Sequence, residues 1–241
     1  MKQRNRQLDD DMVLSFDVVI STSSGGVSEV WTSRARENLG FPCYWILAAI
    51  LVIFWVMLWP TGALAFSDQE AKQALDAAMQ YADLEYVIQG ELWQGMAYFY
   101  GGQDTISSYL GKIEQGVQPG AGAGIDASGL VINAYKAIYP DLRFLYRTNS
   151  QETKVSDTSS KSLYLWNVRT AELEDLQPGD LIFFGQEGNI HGVALYAGRR
   201  GESIRIVTAS QSQGKVVLTG IRAGGDYWKS SFAGAGRLIK R

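Results

Sequence analysis

Gly124 to Leu130 read GIDASGL. Asp126 is placed to cap a helix by accepting backbone N–H bonds. Residue 127 then falls in the first turn, where the helix dipole is positive. A thiol there would have a lowered pKa and would exist largely as thiolate. Ser128 and Gly129 are small and leave room for a substrate to approach. The position suits a nucleophile, yet it holds Ala127. Further along, NIHGVALYAG carries His191, the single histidine of the chain. A histidine at a strand start is the natural general base for a thiol or hydroxyl at a helix start. Ser128 lies one residue on, about 100° around the helix axis, so it cannot point as residue 127 does. A helix start also favours carboxylate ligands.

These groups need a helix and strands to hold them. The helix is expected from about Asp126 to Ile138, stopped near Pro140. A longer helix is expected over residues 67–94. Ser67 and Glu70 form its capping box, and Leu75, Ala78, Met79, Ala82 and Tyr86 recur at helical spacing. The glycine pairs between Gly95 and Gly124 mark loops, and GVQPGAGAG reads as a flexible lead-in. Thr148 to Ser162 is polar and reads as a surface loop. LQPGDLIFFG, HGVALYAG, SIRIVTAS and KVVLTGI follow as short strands separated by turns. Helices first and then antiparallel strands make an α+β layout, with the helices packed on a small sheet.

Composition narrows the chemistry. The 241 residues contain one Cys and one His. An intramolecular disulfide, a Cys-rich zinc site and a His-cluster metal centre are therefore all excluded. The net charge of −3 gives no basic footprint for nucleic acid. Tyr44 to Trp59 read YWILAAILVIFWVMLW without a charge. That run is close to the lower limit of about 17 residues for a spanning helix, and the residues up to Phe66 lengthen it enough. Arg34 and Arg36 precede it while Asp68 and Glu70 follow, which puts the bulk of the chain outside the cytoplasm. The segment reads as an anchor or as a signal segment cleaved near Ala65. The expected domains are thus a polar, disordered cytoplasmic leader at 1–43, the apolar segment at 44–66 and a globular domain at 67–241.

AYFYGG, GIDASGLV, LYRTNSQ, LQPGDLIFF and HGVALYAG occur in the order found in the NlpC/p60 family, which the region from Asp68 to Arg241 resembles. The resemblance implies a papain-like α+β fold with a Cys-His dyad and a third polar residue. It implies cleavage of amide bonds in peptidoglycan stem peptides, often beside D-glutamate and a diamino acid, with no cofactor and no metal. Ala127 occupies the nucleophile position, His191 the base position, and Thr208 the position of the residue that orients the base. Tyr98 falls on a tyrosine at the substrate cleft. Asp126, Ser128 and Gly129 match the rest of the nucleophile motif, and Arg147 matches a segment beside the site. The chain departs from the family in three places. Ala127 replaces Cys, Thr208 replaces His, Asn or Gln, and HGVALY differs from the commoner HVGIY.

These readings point to a domain of the bacterial cell envelope, tethered to the membrane or secreted after cleavage. It would be a pseudopeptidase that binds stem peptide or a cell-wall enzyme without cutting. The same residues also fit an active endopeptidase inactivated by a Cys-to-Ala change. A third reading is a structural interaction module of an envelope complex with a vestigial cleft.

Overall fold

Ser67 opens the first helix as expected: its hydroxyl accepts from the Glu70 N–H, and the Glu70 carboxylate accepts from the Ser67 N–H. The helix, α1 (Asp68–Ala82), buries Ala71, Ala74, Leu75 and Ala78 at helical spacing. It ends twelve residues before the expected limit at residue 94. Main-chain partners stop it: the Tyr81 carbonyl accepts from the Met96 N–H, and the Leu84 carbonyl from the Gly95 N–H. The chain between forms a hairpin, β1 (Glu85–Ile88) and β2 (Glu91–Gln94). Tyr86 fits the helical pattern, but it is buried from this hairpin through its contact with Tyr109.

A computed structural model describes residues 64–186 and 188–241. The polar leader and residues 44–63 of the apolar segment lie outside the described residues. Among the described residues, no helix is long and apolar enough to cross a membrane. The last three residues of the expected segment belong to the folded unit. Ala65 bridges Ile239, the Phe66 N–H donates to the Leu238 carbonyl, and Phe66 is 2% exposed.

Of the next three helices, two begin in stretches expected as loops and one lies where a helix was expected. Thr105 caps α2 (Ile106–Glu114) through the Ser108 N–H, and the helix buries Tyr109. The glycines around it hid its pattern. The lead-in GVQPGAGAG is a set of hydrogen-bonded turns, with the Gly120 N–H donating to the Ala123 carbonyl. Helix α3 (Ala127–Ile138) follows its Asp126 cap and agrees with the sequence reading. The polar stretch after it folds as part of a hairpin, β3 (Phe144–Arg147) and β4 (Glu152–Val155), and then α4 (Ser160–Trp166).

The sheet is antiparallel and six-stranded. It contains β5 (Val168–Thr170), β6 (Leu181–Gln186), β7 (Asn189–Arg200), β8 (Ser203–Ser210), β9 (Lys215–Arg222) and β10 (Phe232–Leu238), in the order β5-β10-β6-β7-β8-β9. A short helix, α5 (Asp226–Ser231), precedes β10. Leu181, Phe183, Val193, Leu195 and Val207 join the main core with α1 and α3. The alternate residues Ile182, Phe184, Ala194, Tyr196 and Ile206 form a second core with Trp228 of α5. Both faces of the central strands are covered, so their sequences are apolar without alternation. Tyr196 is thereby a packing residue.

The β6–β7 register shifts at one point. Phe184 pairs with Gly192 and Gly185 with Ile190, so His191 is the extra residue of a bulge. Gly185 is required there, since a Cβ would lie 2.4 Å from the Asn189 carbonyl oxygen.

Candidate active-site cleft

The start of α3 is fixed by its own cap and by the loop before it. The Asp126 carboxylate accepts from the Gly129 N–H at 2.7 Å, the Ser128 hydroxyl at 2.9 Å and the Gly101 N–H at 3.1 Å. The Asp126 N–H donates to the Gly102 carbonyl at 2.9 Å. Gly129 is buried against that loop, and a Cβ on it would sit 2.5 Å from the Gly102 carbonyl oxygen. Its lack of a side chain therefore serves packing of the loop on the helix, where the sequence suggested room for a substrate. Ser128 likewise turns its hydroxyl to Asp126.

Tyr98 is positioned from two sides. Its N–H donates to the Gly214 carbonyl at 2.8 Å, and it bridges Ile125, the residue before Asp126. The segment at Ala97–Phe99 thus runs between the β8–β9 turn and the entry to α3. Beneath it lies Asp104, which sequence reading passed over. Its carboxylate takes the Gly124 N–H, the Ser108 hydroxyl and the Lys112 ammonium at 2.7–2.9 Å. Burial works against the charged form, but these partners outweigh it and hold the carboxyl below its ordinary pKa. The loop entering α3 is therefore pinned by a buried carboxylate. Asn133 adds two hydrogen bonds from α3 to the carbonyls of Gln103 and Asp104.

Ala127, His191, Thr208 and Tyr98 line one cleft of about 550 Å³. It extends from the start of α3 across β7, β8 and β9 to Tyr227 of α5. The Ala127 methyl is half-buried against the main core. His191 is exposed on its bulge. The Thr208 hydroxyl donates to the Val193 carbonyl at 3.0 Å, which leaves only its lone pairs to engage an imidazole N–H. Burial raises the pKa of the Tyr98 phenol, with Asp126 and then Tyr100 adding to the effect, so it remains a neutral donor.

Arg147 does not line this cleft. It lies on the β3–β4 hairpin, paired with Glu152 at 2.8 Å. The hairpin register sets Arg147 opposite Glu152 and so satisfies the guanidinium locally. The cleft instead includes residues that sequence reading missed: Ser210, Gln211, Ser212 and Gln213 of the β8–β9 turn, and Thr219 and Tyr227. The polar run SQSQG after SIRIVTAS was the available signal for the turn. The expected preference for a carboxylate at the helix start also changes, because Asp126 already supplies a carboxylate to it.

A helix amino terminus thus shares one cleft with a histidine-bearing antiparallel sheet in an α+β arrangement. The chain belongs to the NlpC/P60 family, whose model matches residues 95–237. Among solved structures, it is similar to a Staphylococcus aureus protein described as similar to lipoprotein, NLP/P60 family, with 19% identity and a TM-score of 0.43. That match covers 79% of this chain and 48% of the other, so this chain spans about half of its length. The NlpC/p60 domain of the peptidoglycan hydrolase SagA is 17% identical, with a TM-score of 0.38 and coverage of 69% and 97%. NlpC1 from Trichomonas vaginalis is 14% identical, with a TM-score of 0.38 and coverage of 71% and 44%. A search of curated proteins finds no match.

Proposed function

We propose that this chain is an exported, membrane-tethered NlpC/P60 domain that binds peptidoglycan stem peptide, or a cell-wall enzyme, without cutting it. One observation carries this reading: the residue at the helix start that lines the cleft with His191 is Ala127. A methyl group cannot attack a carbonyl. In this reading His191 is a base without a nucleophile, Thr208 is a weak orienting residue and Tyr98 is a binding residue. Ser128 is a poor replacement, because its hydroxyl bonds to Asp126 and it is not a lining residue. The tether rests on the uncharged run from Tyr44 to Trp59 and the charges flanking it.

The test is to sediment the full chain, in detergent, with insoluble peptidoglycan and to analyse the supernatant by mass spectrometry. We expect the protein in the pellet and no released stem-peptide fragments. Fragments would show another nucleophile and end the pseudopeptidase reading. No pelleting would remove peptidoglycan as the ligand and leave a protein partner. An active peptidase changed from Cys to Ala would leave the same constellation, and a Cys codon at position 127 of the gene would establish it.

A further inference from the structure

We propose that the cleft selects an uncharged, amide-bearing peptide segment and discriminates against the same segment with a free carboxylate. This rests on the peptide-binding reading above. Among the described residues, no Lys, Arg, Asp or Glu lines the cleft. Its polar surface consists of hydroxyls and primary amides, notably Thr208, Ser210, Gln211, Gln213 and Thr219. The two glutamine amides both donate and accept, as a carboxamide requires, while Thr208, whose proton goes to the Val193 carbonyl, only accepts. Tyr98, Phe184 and Tyr227 add aromatic surface.

The charges nearby also disfavour an anion. The fixed charge at the start of α3 is the Asp126 carboxylate, which opposes the positive end of the helix dipole. Lys215 pairs with Ser210 at the β8–β9 turn, but its ammonium donates to the Gln94 carbonyl at 3.0 Å. A carboxylate entering the cleft would lose water without gaining a fixed cation. A carboxamide at the same place would exchange water for the glutamine and hydroxyl groups with little penalty. His191 is the one lining side chain able to carry a positive charge. The comparison is made at pH 8.

The experiment is calorimetric titration of the full chain in detergent with two synthetic stem tripeptides. They differ only in whether the D-glutamate carboxyl is free or amidated. The amide is expected to bind at least about tenfold more tightly, the scale set by an uncompensated polar group. Gln213→Lys places a cation at the exposed turn and is expected to narrow or reverse the preference. Equal or tighter binding of the free acid by the unsubstituted chain overturns the proposal. So does an unchanged preference in Gln213→Lys, which would place the peptide outside the cleft. If neither tripeptide binds but the protein still pellets with peptidoglycan, this selectivity is wrong and the binding reading stands. If pelleting also fails, both fall.

Discussion

Ala127 presents a methyl group to the cleft, and a methyl group cannot form a covalent intermediate. Ala127 stands in the first turn of α3, and the base expected to serve it sits across the same cleft on a bulge. Restoring the thiol is not expected to restore an enzyme. The hydroxyl proton of Thr208 is donated to Val193, so Thr208 can hold an imidazole N–H only through its neutral lone pairs, a looser hold on tautomer and orientation than a carboxylate provides. We predict that Ala127→Cys reacts slowly with alkylating reagents. Its cleavage of peptidoglycan should stay at least about a hundredfold below a typical turnover of about 10 s⁻¹. Ordinary turnover, measured by fragment release, would show that Thr208 is an adequate orienting residue.

The elements are held by caps and by short-range ion pairs. At the start of α1, the Lys240 ammonium and the Ser67 N–H and hydroxyl hold the Glu70 carboxyl at a pKa of about 2, against an ordinary value of 4.5. Lys240 also lies 5.1 Å from the centre of the Phe66 ring. The folded pKa is depressed, so this contribution to stability is fully present above pH 4.5. It is lost as pH falls from there through about 2. Glu70→Gln should lower the melting temperature at pH 7 and flatten its decline between pH 4.5 and 2. Thermal melts followed by circular dichroism across that range test this. Parallel acid limbs for the two proteins would mean that Glu70 is not responsible.

At the scale of the folded unit, a buried ion pair among the described residues joins the last strand to the turn before β6. Arg237 Nε and Nη2 donate to the two oxygens of Asp180 at 2.6 and 3.0 Å, and the guanidinium also reaches Asp68 at the start of α1. The Asp180 side chain is 2% exposed. Arg237→Met would strand its charge, leaving the Gln177 N–H as a partner. The expected loss is about 3–5 kcal/mol, measured by urea unfolding. Asp180→Asn added to Arg237→Met should recover much of that loss, because the orphaned charge is gone. A loss under about 1 kcal/mol in the single variant would show that water or Asp68 compensates.

Local chemistry made some parts of this protein legible in sequence. The Ser67–Glu70 box and the Asp126 cap are local signals, since each uses atoms within three residues. The strands β6 to β9 were visible as apolar or β-branched runs between turns. By contrast, Tyr86 keeps helical spacing into a hairpin, because main-chain partners at Gly95 and Met96 end α1. Gly111 and the surrounding glycines masked α2, which is secured by burial of Tyr109. Sequence placed Ala127, His191, Thr208 and Tyr98 in order, and the fold brought them to one cleft. It also set Arg147 apart and gave the cleft its uncharged rim from the β8–β9 turn. Caps and turns depend on neighbours along the chain. Which side chains share a cavity depends on strand register and on contacts between residues far apart in sequence.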